Sequence, residues 1–412
     1  MSEELLNKAT LHVSPIWTQS FLLLCLANLS NSIAFYSSMP VFPLLVSDVF
    51  GLGGLALGLV VSTYTISAII TRPPTGFALD RLGRKQVLYA GAALFSCMYF
   101  LYPHATSALG IGLIRFCHGA LWGVTMSSMN TVVVDLLPAS RRGEGIGYFG
   151  LTMIIGMALG PAFGTYIQEH YGFTTLFYLA GLITCTGFLT ILFVRFPHIE
   201  PHKHPFSLTV LFEKTSLPVS ATILFMTIPY GTMVNFTSTF ARTIPGANVP
   251  LYFLALAIGT AISRFAAGRI FDRSGPSHIM KISYVCLFFA LCVLALHPTA
   301  LSLPLTGFVY GLGFGIAVPV CQAMINALVP PERRGAANAT FMTSFDCGIF
   351  IGLLITSTLQ ESFGWSGAYL ALSCSILASA AIFILSAKRQ YAAHPHTLSS
   401  TDTPPKESSK MA

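Results

Sequence analysis

Stretches of at least 18 predominantly apolar residues follow one another along the whole chain. Such a stretch, wound as a helix, is long enough to cross a hydrocarbon core of about 30 Å. Twelve can be delimited, at 16–47, 53–79, 86–103, 107–137, 144–168 and 173–195, then at 216–241, 250–270, 278–297, 301–328, 336–360 and 366–387. Only 9% of the 412 residues are charged and 54% are hydrophobic, with a mean hydropathy of +0.71. Soluble domains carry about 25% charged residues, so this chain lacks the polar surface a soluble globule of its size needs. Helices satisfy their own backbone polar groups in lipid, and the expected class is an all-α membrane protein of 12 transmembrane helices. The first span follows Glu3, Glu4 and Lys8 without a small-residue cleavage site, which reads as a retained helix rather than a signal peptide.

The basic residues orient these spans. With both termini cytoplasmic, 18 of the 22 Lys and Arg fall in cytoplasmic segments or at cytoplasmic helix ends. Arg242 alone falls outside, and Arg72, Arg115 and Arg264 lie within spans. The opposite topology violates the positive-inside rule. The net charge of +7 is therefore an orientation signal; the charges form no stripe of the kind that grips nucleic acid. All nine cysteines fall within spans and no pair has CxxC spacing, so neither a disulfide framework nor a zinc site is indicated.

One spacing, 192 residues, recurs through the chain. Arg72, Gly76, Asp80, Arg81 and Gly83 return as Arg264, Gly268, Asp272, Arg273 and Gly275. Gly119 and Gly123 return as Gly311 and Gly315, and Pro138, Arg141, Arg142 and Gly143 as Pro330, Arg333, Arg334 and Gly335. Gly156, Gly160 and Gly172 return as Gly348, Gly352 and Gly364. Each copy holds six spans, an even number, so the two halves enter the membrane in parallel. The expected organisation is a six-helix half at 1–196, a cytoplasmic linker at 197–215, a second six-helix half at 216–387 and a disordered cytoplasmic tail at 388–412.

The loop between the second and third spans reads GFALDRLGRK, from Gly76 to Lys85. Arg72, Gly76 and Asp80 fall at four-residue intervals, one stripe of a helix; Gly76 allows close helix approach and Gly83 a tight turn. This segment matches in full the signature Gly-x-x-x-Asp-Arg-x-Gly-Arg-Lys, so the chain resembles the major facilitator superfamily over nearly its whole length. The resemblance implies two six-helix bundles, a substrate site between them near the midplane, and alternating access by rocking. It also implies that Asp80 contacts the N-terminal end of the eleventh helix, where the helix dipole favours an anion. Arg81 would then pair with an acid on the fourth, for which Asp135 is well placed. Arg72, Gly76, Asp80, Arg81, Gly83, Arg84, Asp135 and Asp272 are the expected conformational gate, joined by Gly156, Gly160 and Pro161 of the fifth span.

The fourth span carries RFCHGALWG, with Arg115 four residues before Gly119. A charge at membrane depth costs about 2.5–3.5 kcal/mol and points to function; the repeat partner of Arg115 is Gly307, so the fold itself does not demand an arginine. The pattern resembles the family's Arg-x-x-x-Gly motif, associated with proton coupling, although His118 stands where the family commonly has Gln. His118 adds a titratable group or donates a hydrogen bond between helices. GMALGPAFG, from Gly156 to Gly164, looks like the Gly-x-x-x-Gly-Pro-x-x-Gly element of the drug:proton antiporters and favours export. Asp346 is the one acid deep inside a span, and its repeat partner is Ile154. About 200° around the helix from Gly348, it should face the cavity or another helix, where an approaching Arg115 would load and release a proton.

The expected function is proton-coupled efflux of a small organic compound; the alternative is proton-coupled uptake of a small metabolite, with Arg115 binding an anionic one. Asp346, Arg115 and His118 are the proton-coupling candidates. Asn28, Asn31, Tyr36, Trp122, Asn130, Tyr230, Asn235, Tyr310 and Gln322 are the substrate-cavity candidates, placed by helix number. No phosphate loop, HExxH or GxSxG is present, so neither an enzyme nor a cofactor is expected. His198, His202 and His204 with Glu200 read as a solvated loop rather than a metal site. The expected partners are substrate, protons and membrane lipid for a monomer in the cell inner membrane, without nucleic acid.

Overall fold

The computed structural model describes residues 16–138, 141–197, 213–330 and 333–393. Among these the structure is helical, without a strand. The helices are α1 (Gln19–Ser38), α2 (Phe42–Phe50), α3 (Gly54–Leu82), α4 (Arg84–Leu101), α5 (Ala108–Leu136) and α6 (Arg142–Leu192), then α7 (Leu217–Asn235), α8 (Thr237–Ala241), α9 (Val249–Leu296), α10 (Ser302–Leu328), α11 (Arg334–Ile382) and α12 (Lys388–Ala393). Nine helical stretches among the described residues are long and apolar enough to cross a membrane. Their starts are set locally: Thr18, Ser107 and Asn248 each accept a hydrogen bond from a backbone N–H three residues on, which satisfies a donor the first helical turn leaves free.

The sequence repeat is visible in the backbone. Gly83 and its partner Gly275 have φ of 95° and 67°, and Gly172 and its partner Gly364 have 83° and 68°. Glycine takes these values without a Cβ clash, and each pair breaks its helical run at the same point in the two halves. α9, α6 and α11 are thereby bent into two arms each. Within the first half α1 packs on α6 and α3 on α5; within the second α7 packs on α11 and α9 on α10. The halves meet through α3 against α11 and α6 against α9.

Large apolar side chains cover the outside of the bundle, among them Leu109, Phe193, Phe265, Phe289 and Phe363, all more than 60% exposed. Small polar side chains such as Ser32, Ser37, Thr125, Thr227 and Thr232 are buried instead. This is the arrangement a helix bundle takes in lipid, where apolar residues face the tails and polar groups bond between helices. The chain remains helical beyond 388, through a wide turn at Phe383–Ala387 into α12, where Gln390 donates to the Thr215 carbonyl at 2.9 Å. Residues Lys388–Ala393, assigned to the tail by the sequence reading, are helical. Residues 394–412, and most of the linker with His198, Glu200, His202 and His204, lie outside the described residues.

Candidate translocation site

Glycines decide where the bulky side chains of α1 and α7 go. Gly156, Gly160 and Gly164 of α6 lie against the backbone of α1, so close that a Cβ on Gly160 would sit 2.9 Å from the Ile33 carbonyl oxygen. Gly348 and Gly352 of α11 lie as tightly against Leu224 and Ile228 of α7. With those faces occupied by backbone, the aromatic side chains turn to the junction of the halves. There Tyr36 Oη and Tyr230 Oη are 3.4 Å apart. Tyr230 lies flat on Phe314 of α10, with ring centroids 4.1 Å apart, and Phe345 of α11 is 6.0 Å away. Across from them Phe35 stacks on Trp122 of α5 at 4.3 Å.

Beside this aromatic group an ion pair joins the halves. Arg72 Nη2 of α3 lies 3.0 Å from Asp346 Oδ2 of α11, and 24% and 9% of the two side chains are exposed. The expectation that Asp346 turns away from the Gly348 face is met, because Gly348 packs on α7 while Asp346 faces α3. Oδ2 accepts no well-aligned hydrogen bond, so the contact is a charge pair without a directional bond. Such a pair is easier to separate than a bidentate one.

At one end of the molecule the halves are tied together. Asp48, at the end of α2, pairs with Arg242 after α8 at 2.9 Å. The Glu361 carboxylate rests on the backbone of Gly53 and Gly54, and Ser357 fills the space beside Gly58. At the opposite end, around the 76–85 loop, Gly76 and Gly335 face open space and Asp80 is 55% exposed. Among the described residues an ion pair thus ties the halves at the Asp48 end, and none does so at the end of the 76–85 loop.

This bundle of repeat-related helices agrees with comparisons to known proteins. The Major Facilitator Superfamily profile matches residues 24–309 and 218–410. The chain belongs to the major facilitator superfamily. It is 24% identical over 390 residues to the multidrug resistance protein MdtG of Klebsiella pneumoniae (strain 342), covering 90% of this chain and 94% of that protein. It is 25% identical over 368 residues to the quinolone resistance protein NorA of Staphylococcus aureus, covering 86% and 92%. These relatives bear out the likeness to the drug:proton antiporter type. Among solved structures, a POT family transporter in complex with 5-aminolevulinic acid superposes with a TM-score of 0.77 at 12% identity, over 90% of this chain and 96% of that one. The nucleoside transporter NupG superposes with a TM-score of 0.73 at 17% identity, over 89% and 99%. These two establish the major facilitator fold.

Several residues of this major facilitator protein sit otherwise than their motifs suggest. Arg115 is 1% exposed inside the first half, where it donates to the Val61 carbonyl at 2.7 Å and lies 3.9 Å from the centroid of the Phe42 ring. The cation that meets Asp346 is Arg72, not Arg115, because Asp346 faces α3 and Arg115 is enclosed by α2 and α3 of its own bundle. His118 is also 1% exposed, bonded through Nδ1 to the Tyr102 hydroxyl at 3.0 Å and ringed by Phe95 and Tyr99. That placement fits the hydrogen-bonding alternative. Arg84, not Arg81, pairs with Asp135, at 3.3 Å, and it also holds Asp80 at 2.7 Å. The turn at Gly83 directs Arg84, first residue of α4, back toward the ends of α3 and α5, whereas Arg81 lies over the Phe77 ring. Asp80 is thus paired within its own half rather than with the start of α11, and among the described residues nothing lies within 4 Å of a Cβ on Gly76.

The cavity candidates divide similarly. Tyr36, Tyr230 and Trp122 are in the aromatic group, and Tyr310 stands beside it with its hydroxyl buried and unbonded. Asn28 donates to Thr152 at 2.7 Å and Asn31 reaches Met129 Sδ at 3.7 Å, so both tie α1 to helices of its own half. Asn130 is exposed and bonds back to the Met126 carbonyl. Asn235 is buried and donates to the Gly231 carbonyl, and Gln322 is half-buried on α10. Pro161 lies inside α6, its carbonyl accepting from Thr165, and the side chain of Asp272 lies outside the described residues. Sequence reasoning missed Phe35, Phe314 and Phe345. It also missed Arg264 as a member of the site: Tyr230 and Tyr36 lie within its electrostatic reach, and a Cβ on Gly150 would be 3.7 Å from its Nη1.

Proposed function

We propose that this secondary transporter exports small organic compounds in exchange for protons, by alternating access between two parallel six-span halves. The Arg72–Asp346 pair carries the proposal, because it is a buried carboxylate held by a cation of the other half. Protonation of Asp346 removes its charge, and with it the attraction that holds α11 to α3. Proton uptake and separation of the halves are thereby linked. The reverse step, reunion with Arg72, expels the proton, since a nearby cation favours the charged carboxylate.

Division of Glu144–Leu192 at Gly172 and of Arg334–Ala393 at Gly364, with α4 counted as a span, supports a reading of twelve spans. The positive-inside distribution supports a topology with the 76–85 loop and both termini in the cytoplasm and the spans in the cell inner membrane. The tied end with Asp48–Arg242 then faces outward, and the conformation is the one that receives substrate from the cytoplasm. The aromatic group supplies ring faces and edges on which flat apolar compounds can stack. Export as the direction rests on the kinship with drug-efflux proteins named for multidrug and quinolone resistance.

The test is transport by purified protein in proteoliposomes under an imposed pH gradient. Wild-type proteoliposomes should accumulate an aromatic test compound on the acidic side, and Asp346→Asn should abolish that accumulation while retaining downhill flux. Normal gradient-driven accumulation by the Asn variant contradicts the proton role.

A further inference from the structure

The two halves carry equivalent arginines, but only one has a counter-ion. Arg72 and Arg264 are repeat partners at the 192-residue spacing, and so are Ile154 and Asp346. The contacts obey the same relation: α3 meets α11 as α9 meets α6. On one side of the junction Arg72 finds Asp346 at 3.0 Å. On the other, Arg264 stands where its repeat-related neighbour is the buried Ile154. Among the described residues no carboxylate pairs with Arg264, and its Nε is buried without a hydrogen-bond partner. A cation at membrane depth ordinarily pairs with an acid or lines a pathway, and one left with an unused buried donor is a donor site waiting for an acceptor.

Its surroundings indicate what fills it. Tyr230 and Tyr36 lie within its electrostatic reach, and their hydroxyls meet at 3.4 Å. Tyr230 stacks on Phe314, and both belong to the aromatic group at the junction. A guanidinium offers a planar fork of donors that matches a carboxylate, and the rings of the aromatic group offer an apolar surface at the same junction of the halves. We propose that Arg264 is the substrate-recognition residue for a carboxylate, and that the site takes flat aromatic organic anions whose ring stacks beside Tyr230 and Phe314. This assignment rests on the transport function proposed above and adds the charge class of the cargo. Charge asymmetry is the physical basis: the Arg72–Asp346 pair is neutral in sum, so Arg264 leaves the junction with one uncompensated positive charge.

Binding to purified protein in detergent tests this without requiring a proton gradient. The probes are 2-naphthoate and its neutral isostere 2-naphthamide, measured by displacement-free calorimetric titration. Wild type should bind the anion at least about tenfold more tightly than the amide. Arg264→Gln should lose about thirtyfold or more of the naphthoate affinity, the scale of truncating one partner of a buried charge pair, with little change for the amide. Ile154→Asp, which installs the acid that Arg72 already has, should also erase the preference while leaving the arginine in place. Arg264→Lys should retain part of it, and a monodisperse elution profile certifies the fold of each variant. Equal affinity for the two probes, no measurable binding of either, or a preference that survives Arg264→Gln overturns the proposal. Gradient-driven transport of other compounds would remain intact in that event, so failure here is separable from failure of the transport function.

Discussion

Asp346→Asn should cost more stability than Arg72→Gln, although both break the same ion pair. Two unit charges 3.0 Å apart attract by about 5 kcal/mol at an effective dielectric constant of about 20. Desolvation offsets much of that attraction. A quarter of the Arg72 side chain reaches solvent and Asp346 Oδ2 accepts no aligned hydrogen bond, so the net coupling should be about 1–2 kcal/mol, within the range of contacting pairs. The two single variants strand different charges. Asn at 346 leaves a guanidinium that stays protonated at any working pH, a penalty of about 2 kcal/mol after allowance for exposure. Gln at 72 leaves a carboxyl that escapes its penalty by taking up a proton, and the loss should be nearer about 1 kcal/mol. The assay is unfolding by sodium dodecyl sulfate in mixed micelles at neutral pH for both singles and the double variant. The double should be less destabilised than the sum of the singles. Additive effects, or a larger loss for Arg72→Gln, would refute the assigned pairing.

Asp80→Asn should leave stability within about 1 kcal/mol, as expected of an exposed pair, yet slow transport in a sealed system, because the exposed Asp80 can exchange Arg84 for a partner on the other half when the loop end closes; wild-type kinetics would rule out a gate role. Gly352→Ala should destabilise by about 1–3 kcal/mol through collision with the Ile228 backbone, whereas Gly76→Ala meets nothing within 4 Å and should be neutral or stabilising by up to about 1 kcal/mol; thermal melts of the two separate these outcomes. Glu213 is held below the usual carboxylate range, foremost by the Thr215 backbone N–H and also by Arg333 at 2.7 Å, against the opposing effect of burial. Its contribution is therefore present above the ordinary carboxylate pKa and lost as pH falls through the lower folded value, so Glu213→Gln should narrow the stability gap between neutral and acidic melts, and an unchanged gap would contradict the linkage.

How far the sequence was legible depended on whether a residue's role was set by the backbone or by a partner. The 192-residue repeat foretold the glycine breaks, because Gly83, Gly172, Gly275 and Gly364 act through their own φ. The Gly156–Gly160 and Gly348–Gly352 stripes were readable for the same reason, since small residues at helical spacing announce close packing. Partners were less legible. Arg81 and Arg84 have the same charge, and only the direction of the Gly83 turn decides which reaches Asp135. Arg115 looked like the coupling cation because it lacks a repeat partner, yet its position on α5 encloses it among Phe42, Tyr64 and the Val61 carbonyl. The pairing of Arg72 with Asp346 was within reach: once α3 is set against α11, the same repeat that matches Arg72 to Arg264 matches Asp346 to Ile154. The aromatic group was half-visible, because Tyr36 and Tyr230 carry polar handles that mark them, whereas Phe35, Phe314 and Phe345 resemble any membrane-facing phenylalanine until the packing is known.

Proton-driven accumulation by wild type and Asp346→Asn, measured side by side in proteoliposomes, tests the central claim most directly. A panel of aromatic anions, cations and neutral compounds is supplied with the vesicle interior acidic relative to the bath. Wild type should concentrate at least one compound inside and lose that concentration when the gradient is collapsed. The Asn variant should bring the same compound only to equal concentrations on the two sides. Accumulation by the Asn variant equal to wild type, or transport by wild type that ignores the gradient, would contradict a proton carried at Asp346 and exchanged with Arg72.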